Sequence, residues 1–129
     1  MKVKTAKILL ADDEPDMTRI IGKSLEISGY EVIVANDGVE CISKARCEQP
    51  DVILLDNVMP NMDGPATLEK LRSSKRTEDI PVIIVTALAD EDSIAKALNG
   101  GADSYVVKPF DYEMLLARIT MALESRSAW

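Results

Sequence analysis

Five strand-like runs alternate with five segments of helical periodicity along this chain of 129 residues. The runs lie at about 7–11, 31–35, 51–55, 81–85 and 103–107, and the helical segments at about 15–28, 38–48, 65–74, 91–98 and 111–124. Strands separated by helices and short loops form parallel sheets through right-handed crossovers. The alternation therefore predicts one α/β domain, a doubly wound five-stranded parallel sheet with helices on both faces.

Two segments indicate how these elements are buried. The third predicted strand is apolar at every position from 52 to 55, which is typical of a strand covered on both faces, so we expect it at the centre of the sheet. The first predicted helix carries an apolar stripe at helical spacing and should turn that stripe toward the sheet. The stripe consists of Met17, Ile20, Ile21, Ser24 and Leu25.

Polar side chains follow four of the predicted strands at the point where each strand ends. These side chains are Asp12 and Asp13 after the first strand, Asp56 after the third, Thr86 after the fourth and Lys108 after the fifth. Because parallel strands point the same way, their carboxyl ends meet at one edge, where open α/β sheets bind ligands. Three carboxylates, a hydroxyl and an ammonium at that edge predict a site for a divalent cation and a phosphoryl group.

Charge repulsion supports a cation at this site. Two like charges about 4 Å apart repel by about 4 kcal/mol at an effective dielectric of 20, so three converging carboxylates need compensation. Mg²⁺ prefers oxygen ligands and keeps several waters, so one or two carboxylates suffice to hold it. Lys108 precedes Pro109, and a cis peptide bond there would direct the ammonium back over the strand ends. Taken singly, each of these polar residues is more simply explained as a solvated loop or capping residue.

The loop at 57–65 adds a backbone group to this set. Pro60 fixes one φ angle, Gly64 permits an unusual one, and Pro65 opens the next helix. The loop is either a plain strand-to-helix connection or a source of a metal ligand through the Val58 carbonyl. Beyond the loop, Asp90 and Asp111 are expected to cap the fourth and fifth helices.

Composition excludes several classes of function. A net charge of −7 argues against nucleic-acid binding by this domain itself. The chain has no histidine, which excludes histidine acid–base catalysis, histidine metal ligands and a phosphohistidine of its own. No stretch has the length of a membrane span. Cys41 and Cys47 fall on different faces of one predicted helix, so we expect two reduced thiols in a cytoplasmic protein.

Four segments together resemble the receiver domain of two-component response regulators. They are ILLADDE at 8–14, DVILLDNVMPNMDG at 51–64, PVIIVTA at 81–87 and GGADSYVVKPF at 100–110. The resemblance spans about residues 7–123 and implies a flavodoxin-like receiver fold with strand order 2-1-3-4-5. We expect a single receiver domain over 1–129, with flexible ends at 1–6 and 125–129.

The resemblance also implies roles for individual residues. Asp56 would accept a phosphoryl group from a histidine kinase or another phosphohistidine protein, and Thr86 and Lys108 would hold the phosphoryl oxygens. Mg²⁺ or Mn²⁺ would be bound by Asp13, Asp56 and the Val58 carbonyl, with Asp12 acting through water. Thr86 and Tyr105 would form a switch that changes the partner affinity of the surface made by the fourth helix, fifth strand and fifth helix. Phosphorylation-dependent dimerisation through that surface stays open. Asn57 departs from the family, which is usually apolar there.

Other functions fit the sequence less well. A pseudo-receiver, which uses this fold for binding without phosphorylation, would lack Asp56, Lys108 or the acidic pair. A Mg²⁺-dependent phosphatase with an aspartyl-phosphate would carry a second aspartate where this chain has Val58. A flavin-binding protein would need a phosphate-binding loop after the first strand, where the acidic residues would instead repel phosphate. The sequence therefore favours a phosphoacceptor signalling domain over an enzyme with turnover of its own.

Overall fold

The computed structural model describes residues 5–127, with side chains described for 5–125. The strands are β1 (Lys7–Ala11), β2 (Glu31–Ala35), β3 (Val52–Leu55), β4 (Val82–Thr86) and β5 (Ser104–Val107). The helices are α1 (Pro15–Ile27), α2 (Gly38–Glu48), α3 (Gly64–Arg72), α4 (Glu91–Asn99) and α5 (Tyr112–Ser127). Of the ends expected to be flexible, 1–4 and 128–129 lie outside the described residues.

The five strands form one parallel sheet in the order β2-β1-β3-β4-β5. The expected fold, strand order and central place of β3 are therefore confirmed. All five carboxyl ends lie along one edge of the sheet, because every neighbouring pair of strands is parallel. Ala11 of β1 is in register with Leu55 of β3, so the residues that follow these two strands emerge side by side.

Alternation along the strands divides the core into two layers, one on each face of the sheet. Successive side chains of a strand point to opposite faces. Ile53 and Leu55 pack with α2, α3 and α4, whereas Val52 and Leu54 pack with α1 and α5. All four of these β3 side chains are fully buried. The helices thus cover both faces, as the apolar run at 52–55 predicts.

The buried face of α1 differs in part from the predicted stripe. Ile21 and Leu25 are buried as expected, but Ile20 is 59% exposed. Thr18 and Gly22 take up the inner face instead. The buried line of α1 is therefore slightly rotated from the predicted stripe. Within residues 5–127 no helix combines the length and the apolar character needed to cross a membrane.

Side-chain caps fix the beginnings of the helices near the carboxyl edge. Asp37, Asp63 and Asp90 each accept a hydrogen bond from a backbone N–H in the first turn of α2, α3 and α4, respectively. Asp111 accepts one from the Glu113 N–H in the first turn of α5, at 3.0 Å. The capping roles expected of Asp90 and Asp111 are confirmed. Each cap satisfies a backbone donor that the helix itself leaves unpaired.

Candidate functional site

Backbone pairing brings the polar side chains at the strand ends together. The Asp56 N–H donates to the Ala11 carbonyl at 3.0 Å, which extends the pairing of β1 and β3 by one residue. On the other side, the Lys108 N–H donates to the Thr86 carbonyl at 2.8 Å, just beyond β4 and β5. The chain therefore holds the site from several strands at once.

Lys108 joins two buried carboxylates. Its Nζ lies 2.7 Å from Asp12 Oδ2 and 3.4 Å from Asp56 Oδ2. The side chains of Lys108, Asp12 and Asp56 are only 10%, 3% and 9% exposed. The peptide bond from Lys108 to Pro109 is cis, as the sequence allowed. The ammonium thus lies between the two carboxylates, which share its charge in a poorly solvated place.

The protonation of Lys108 follows from this pairing. Burial by itself lowers the pKa of Lys108, because it disfavours the charged form. The hydrogen bond to Asp12 and the negative charge of Asp56 act in the opposite direction and outweigh burial, so the pKa is raised above its ordinary value. Lys108 is therefore a fixed positive charge at neutral pH.

Three carboxylates form a cluster that suits a divalent cation. Oxygen atoms of Asp12, Asp13 and Asp56 all lie within 4.8 Å of one another. Asp13 is exposed, whereas Asp12 and Asp56 are buried. Asp12 has both oxygens engaged, one with the Glu14 N–H at 3.0 Å and one with Lys108. The donors are all hard oxygens, the ligand type that Mg²⁺ and Mn²⁺ accept.

The loop between β3 and α3 lies close against Asp56. The Val58 N–H donates to Asp56 Oδ1 at 3.3 Å, so the backbone at Val58 lies beside the Asp56 carboxylate. At the far side of the loop, Asn61 Nδ2 donates to Asp37 Oδ2 at 2.6 Å, and Asn61 adopts a φ of 68°. Hydrogen bonds from the Glu40 N–H and from Asn61 lower the pKa of Asp37. The loop is thus tied to the start of α2.

Gly64 permits an unusual φ but does not adopt one, since the left-handed residue of this loop is Asn61. Gly64 is needed for a different reason. A Cβ on Gly64 would lie 2.6 Å from Asn57 Cα and 2.7 Å from the Asp56 carbonyl oxygen. The backbone at the start of α3 therefore packs directly on the residue after Asp56, a contact that only glycine permits.

Thr86 and Tyr105 both contact the loop that follows β4. Thr86 is 1% exposed, and its Oγ1 accepts the Leu88 N–H at 3.4 Å. The Tyr105 hydroxyl donates to the Leu88 carbonyl at 2.8 Å. Burial, followed by the charges of Asp90 and Asp56, raises the pKa of Tyr105. The loop after β4 is therefore in contact with both residues that the family resemblance assigns to a switch.

Asn57 contacts Tyr105 as well, and this contact was not predicted from the sequence. Its Nδ2 lies 3.3 Å from the Tyr105 hydroxyl oxygen, although 48 residues separate the two in the chain. The signal in the sequence was the polar residue directly after Asp56, where an apolar one is usual. No local pattern indicated its partner, since that contact depends on how β5 lies in the sheet.

A five-stranded 2-1-3-4-5 sheet with an acidic cluster, a buried hydroxyl and a lysine at its carboxyl edge defines a doubly wound α/β protein with its site at the strand ends. More narrowly, the chain belongs to the response regulator receiver domain family. The sequence pattern of that family, described as "Response regulator receiver domain", matches residues 8–120. Receiver domains are signalling domains of two-component systems.

Curated relatives show the same region in longer proteins. The chain is 40% identical over 117 residues to the DNA-binding dual master transcriptional regulator RpaA of Synechocystis, which covers 91% of this chain and 48% of that protein. It is 40% identical over 121 residues to hybrid signal transduction histidine kinase D of Dictyostelium discoideum, covering 94% of this chain and 8% of the kinase. The chain therefore spans about half the length of the regulator and a small part of the kinase.

Solved structures agree with the fold. A CheY-like response regulator receiver domain protein from Methanospirillum hungatei superposes with a TM-score of 0.90 at 30% identity, covering 97% of this chain and 98% of that one. The signal receiver domain of a histidine kinase from Syntrophus aciditrophicus gives a TM-score of 0.87 at 30% identity, covering 94% and 92%. The fold is thus shared by receivers of both regulators and kinases.

Proposed function

We propose that Asp56 accepts a phosphoryl group from a phosphohistidine of a partner histidine kinase or phosphotransfer protein. The reaction is dependent on a divalent cation. The observation that carries this proposal is the position of Asp56, whose buried carboxylate borders both the acidic cluster and the Lys108 ammonium. An anionic nucleophile beside compensating positive charge suits phosphoryl transfer, which depends mainly on positioning and charge neutralisation.

The transfer itself needs no acid–base residue from this chain. A carboxylate oxygen of Asp56 attacks phosphorus and forms an acyl phosphate as the bond from phosphorus to the donor histidine nitrogen breaks. The donor ring is protonated at its other nitrogen, so when the phosphorylated nitrogen keeps the bonding electron pair a neutral imidazole leaves. Lys108 stays protonated throughout and stabilises the phosphoryl oxygens as a point charge. The absence of histidine from the chain is consistent with this chemistry.

The three carboxylates of the acidic cluster would have different roles in binding the cation. Asp13, Asp56 and the Val58 carbonyl would hold Mg²⁺ or Mn²⁺ directly, and Asp12 would act through water. The bonds that Asp12 already makes to Lys108 and to the Glu14 N–H support an indirect role for it. When bound, the cation neutralises charge on the carboxylates and on the transferred phosphoryl group.

Thr86 and Tyr105 would convert the new charge into a change of surface. A phosphoryl group adds about −1.5 to −2 charges and oxygens that the buried Thr86 hydroxyl can contact. Movement of Thr86 would carry the Leu88 segment with it, because the Leu88 N–H is bonded to Thr86 Oγ1. Tyr105 is bonded to the Leu88 carbonyl, so the surface formed by α4, β5 and α5 would respond. A kinase at one end and an output domain or protein at the other are the implied partners.

The experiment is intact-protein mass spectrometry after incubation with Mg²⁺ and acetyl phosphate. We expect one phosphoryl adduct on the native chain and none on Asp56→Asn. Asp16→Asn, which changes a carboxylate that is 88% exposed on α1, is the matched control and should be labelled normally. A label on Asp56→Asn would identify a different acceptor. If no form is labelled while a control receiver is, the domain is a phosphorylation-independent interaction module.

A further inference from the structure

Asn57 connects the phosphoacceptor to the tyrosine of the switch. The residue follows Asp56 directly and is 6% exposed. Its Nδ2 donates to the Tyr105 hydroxyl oxygen at 3.3 Å, and that hydroxyl donates to the Leu88 carbonyl at 2.8 Å. The hydroxyl thus both accepts and donates a hydrogen bond. Three segments meet at it: the end of β3, the middle of β5 and the loop after β4.

The amide of Asn57 has little freedom to make other contacts. Its Oδ1 is buried and has no hydrogen-bond partner among the described residues. A Cβ on Gly64 would lie 2.7 Å from this oxygen, so the start of α3 closes the space around it. Leaving a buried acceptor unpaired is unfavourable. Among the described residues, the hydrogen bond from Nδ2 to Tyr105 is the only one that the Asn57 side chain makes.

The Tyr105 side chain points inward. Its hydroxyl is directed at the site through Asn57 and Leu88, although β5 is an edge strand and Tyr105 itself is only partly buried. An aromatic side chain at an edge strand has solvent on one side into which it can rotate. The hydrogen bond from Asn57 opposes that rotation.

We propose that Asn57 is a positioning residue that holds Tyr105 in its inward pose before phosphorylation. The resting protein then populates part of the switched conformation, and phosphorylation produces a smaller change at the α4, β5 and α5 surface than it would with an apolar residue after Asp56. This inference rests on the proposed function, since it assigns Tyr105 a part in the switch. Its main test needs no phosphorylation, so the two can fail separately.

The test compares native protein with Asn57→Leu, each labelled with 3-fluorotyrosine and measured by ¹⁹F NMR without a phosphoryl donor. The Tyr105 resonance is assigned by its loss in Tyr105→Phe, which distinguishes it from Tyr30 and Tyr112. We expect the ratio of inward to outward Tyr105 to fall about two- to tenfold in Asn57→Leu, the range that one net hydrogen bond supports. Asn99→Leu, at the exposed end of α4, is the control and should leave the ratio unchanged.

Stability separates positioning from a merely structural role. Leucine removes the unpaired Oδ1, so Asn57→Leu should be at least as stable as the native chain while Tyr105 rotates outward more often. A folded Asn57→Leu with an unchanged Tyr105 resonance would overturn the proposal, whatever happens at Asp56.

A second comparison keeps the proposal open to refutation if Asn57→Leu does not fold. In ¹⁵N–¹H spectra, Tyr105→Phe should shift the amides around Leu88 and β5, and it should also shift the Asn57 side-chain amide. Absence of a shift at that side-chain amide would show that the bond does not exist in solution. If Asn57→Leu folds, the variant with both substitutions should move the backbone amides around Leu88 and β5 no further than Tyr105→Phe alone, and additive shifts would count against a shared contact.

Discussion

β3 and β5 each contribute to the site, but they are buried to very different extents. β3 pairs with a strand on both sides, and all four of its residues are buried. β5 pairs only with β4, and one of its four residues is buried. The proposed acceptor Asp56 follows the buried strand, whereas Tyr105 lies within the edge strand. The proposed acceptor Asp56 is thus fixed by the core, whereas Tyr105, the proposed switch residue, lies where movement costs less free energy.

The polar contacts show the same difference. Asp56 and Asp12 share a buried ammonium at the end of the central strands. Tyr105 is held by two hydrogen bonds, one to a loop carbonyl and one of 3.3 Å to Asn57. A paired buried charge is costly to separate, whereas a single neutral hydrogen bond contributes only about 1 kcal/mol. The site therefore combines a rigid group of paired charges with a tyrosine, Tyr105, that can exchange between two conformations.

The largest effect is expected from truncating the central strand. Leu54 is fully buried and packs with α1 and α5. Leu54→Ala should lower the free energy of unfolding by about 4 kcal/mol, because it removes transfer energy and leaves a cavity. Urea denaturation followed by circular dichroism measures this loss.

The same substitution on each strand tests the comparison directly. Val52 is fully buried on β3, whereas Val107 on β5 is only partly buried. Val52→Ala should cost about 2 kcal/mol and Val107→Ala about 1 kcal/mol or less. Equal losses would show that β5 is as firmly held as β3, and the proposed division between a fixed and a movable strand would be wrong.

Removal of the ammonium should have an effect between those of Leu54→Ala and Val52→Ala. Lys108→Met keeps most of the length of the side chain but leaves Asp12 and Asp56 buried without their shared counter-charge. We expect a loss of about 3 kcal/mol in the absence of divalent cation, the low end for breaking a buried pair. Asp13 faces solvent and adds to the repulsion in the cluster.

Excess Mg²⁺ sharpens this measurement. The cation should stabilise Lys108→Met more than the native chain, because the variant has more uncompensated negative charge near the site. Lys96→Met, on an exposed part of α4, is the control and should respond to Mg²⁺ as the native chain does. If Lys108→Met and the native chain have the same urea midpoint of unfolding without Mg²⁺, the ammonium does not stabilise the site.

The sequence was most informative where a pattern is local or where the strand direction is fixed. The apolar run at 52–55 predicted the central strand, and the polar residues after the strands predicted which side chains would meet. Element boundaries followed from the same periodicity to within two or three residues. These features depend on hydrophobic spacing and on the parallel arrangement, both of which a single chain displays.

Contacts between distant segments could not be predicted in this way. Glycine at position 64 permits an unusual φ, but it is required for the close approach to Asn57, and the left-handed residue is Asn61. Ile20 fits the helical stripe of α1 yet is exposed, since Thr18 and Gly22 lie on the inner face instead. The bond from Asn57 to Tyr105 joins residues 48 positions apart. Each of these depends on packing distances that periodicity does not contain.

The smallest expected effect concerns the layer of the core that contains Cys41. This thiol is fully buried against the β1 and β3 side chains, while Cys47 on the same helix is exposed. Burial, with a smaller contribution from the charge of Asp37, raises the pKa of Cys41 from 9.0 to about 12. The folded chain therefore holds the Cys41 proton at pH values where the unfolded chain releases it.

The sign of the pH dependence follows from this difference. The contribution of Cys41 is fully present below about pH 9 and is lost as pH rises toward about 12, because only the unfolded state gains from ionisation. At pH 10 the loss should be about 1 kcal/mol relative to pH 8. Cys41→Ala, although less stable at pH 8, should lose less on the same change, and the difference between the two pH slopes isolates the thiol from lysine and tyrosine titrations.

Thiol labelling at neutral pH connects this measurement to the two strands. Cys47 should react with an iodoacetamide reagent at the rate of a free thiol, and Cys41 only when the layer over β1 and β3 opens. Leu54→Ala should speed Cys41 labelling strongly, because it destabilises the central strand, whereas Val107→Ala should change it little. If both variants speed labelling equally, opening at the edge strand and opening at the centre are one event, and Tyr105 cannot move while Asp56 stays fixed.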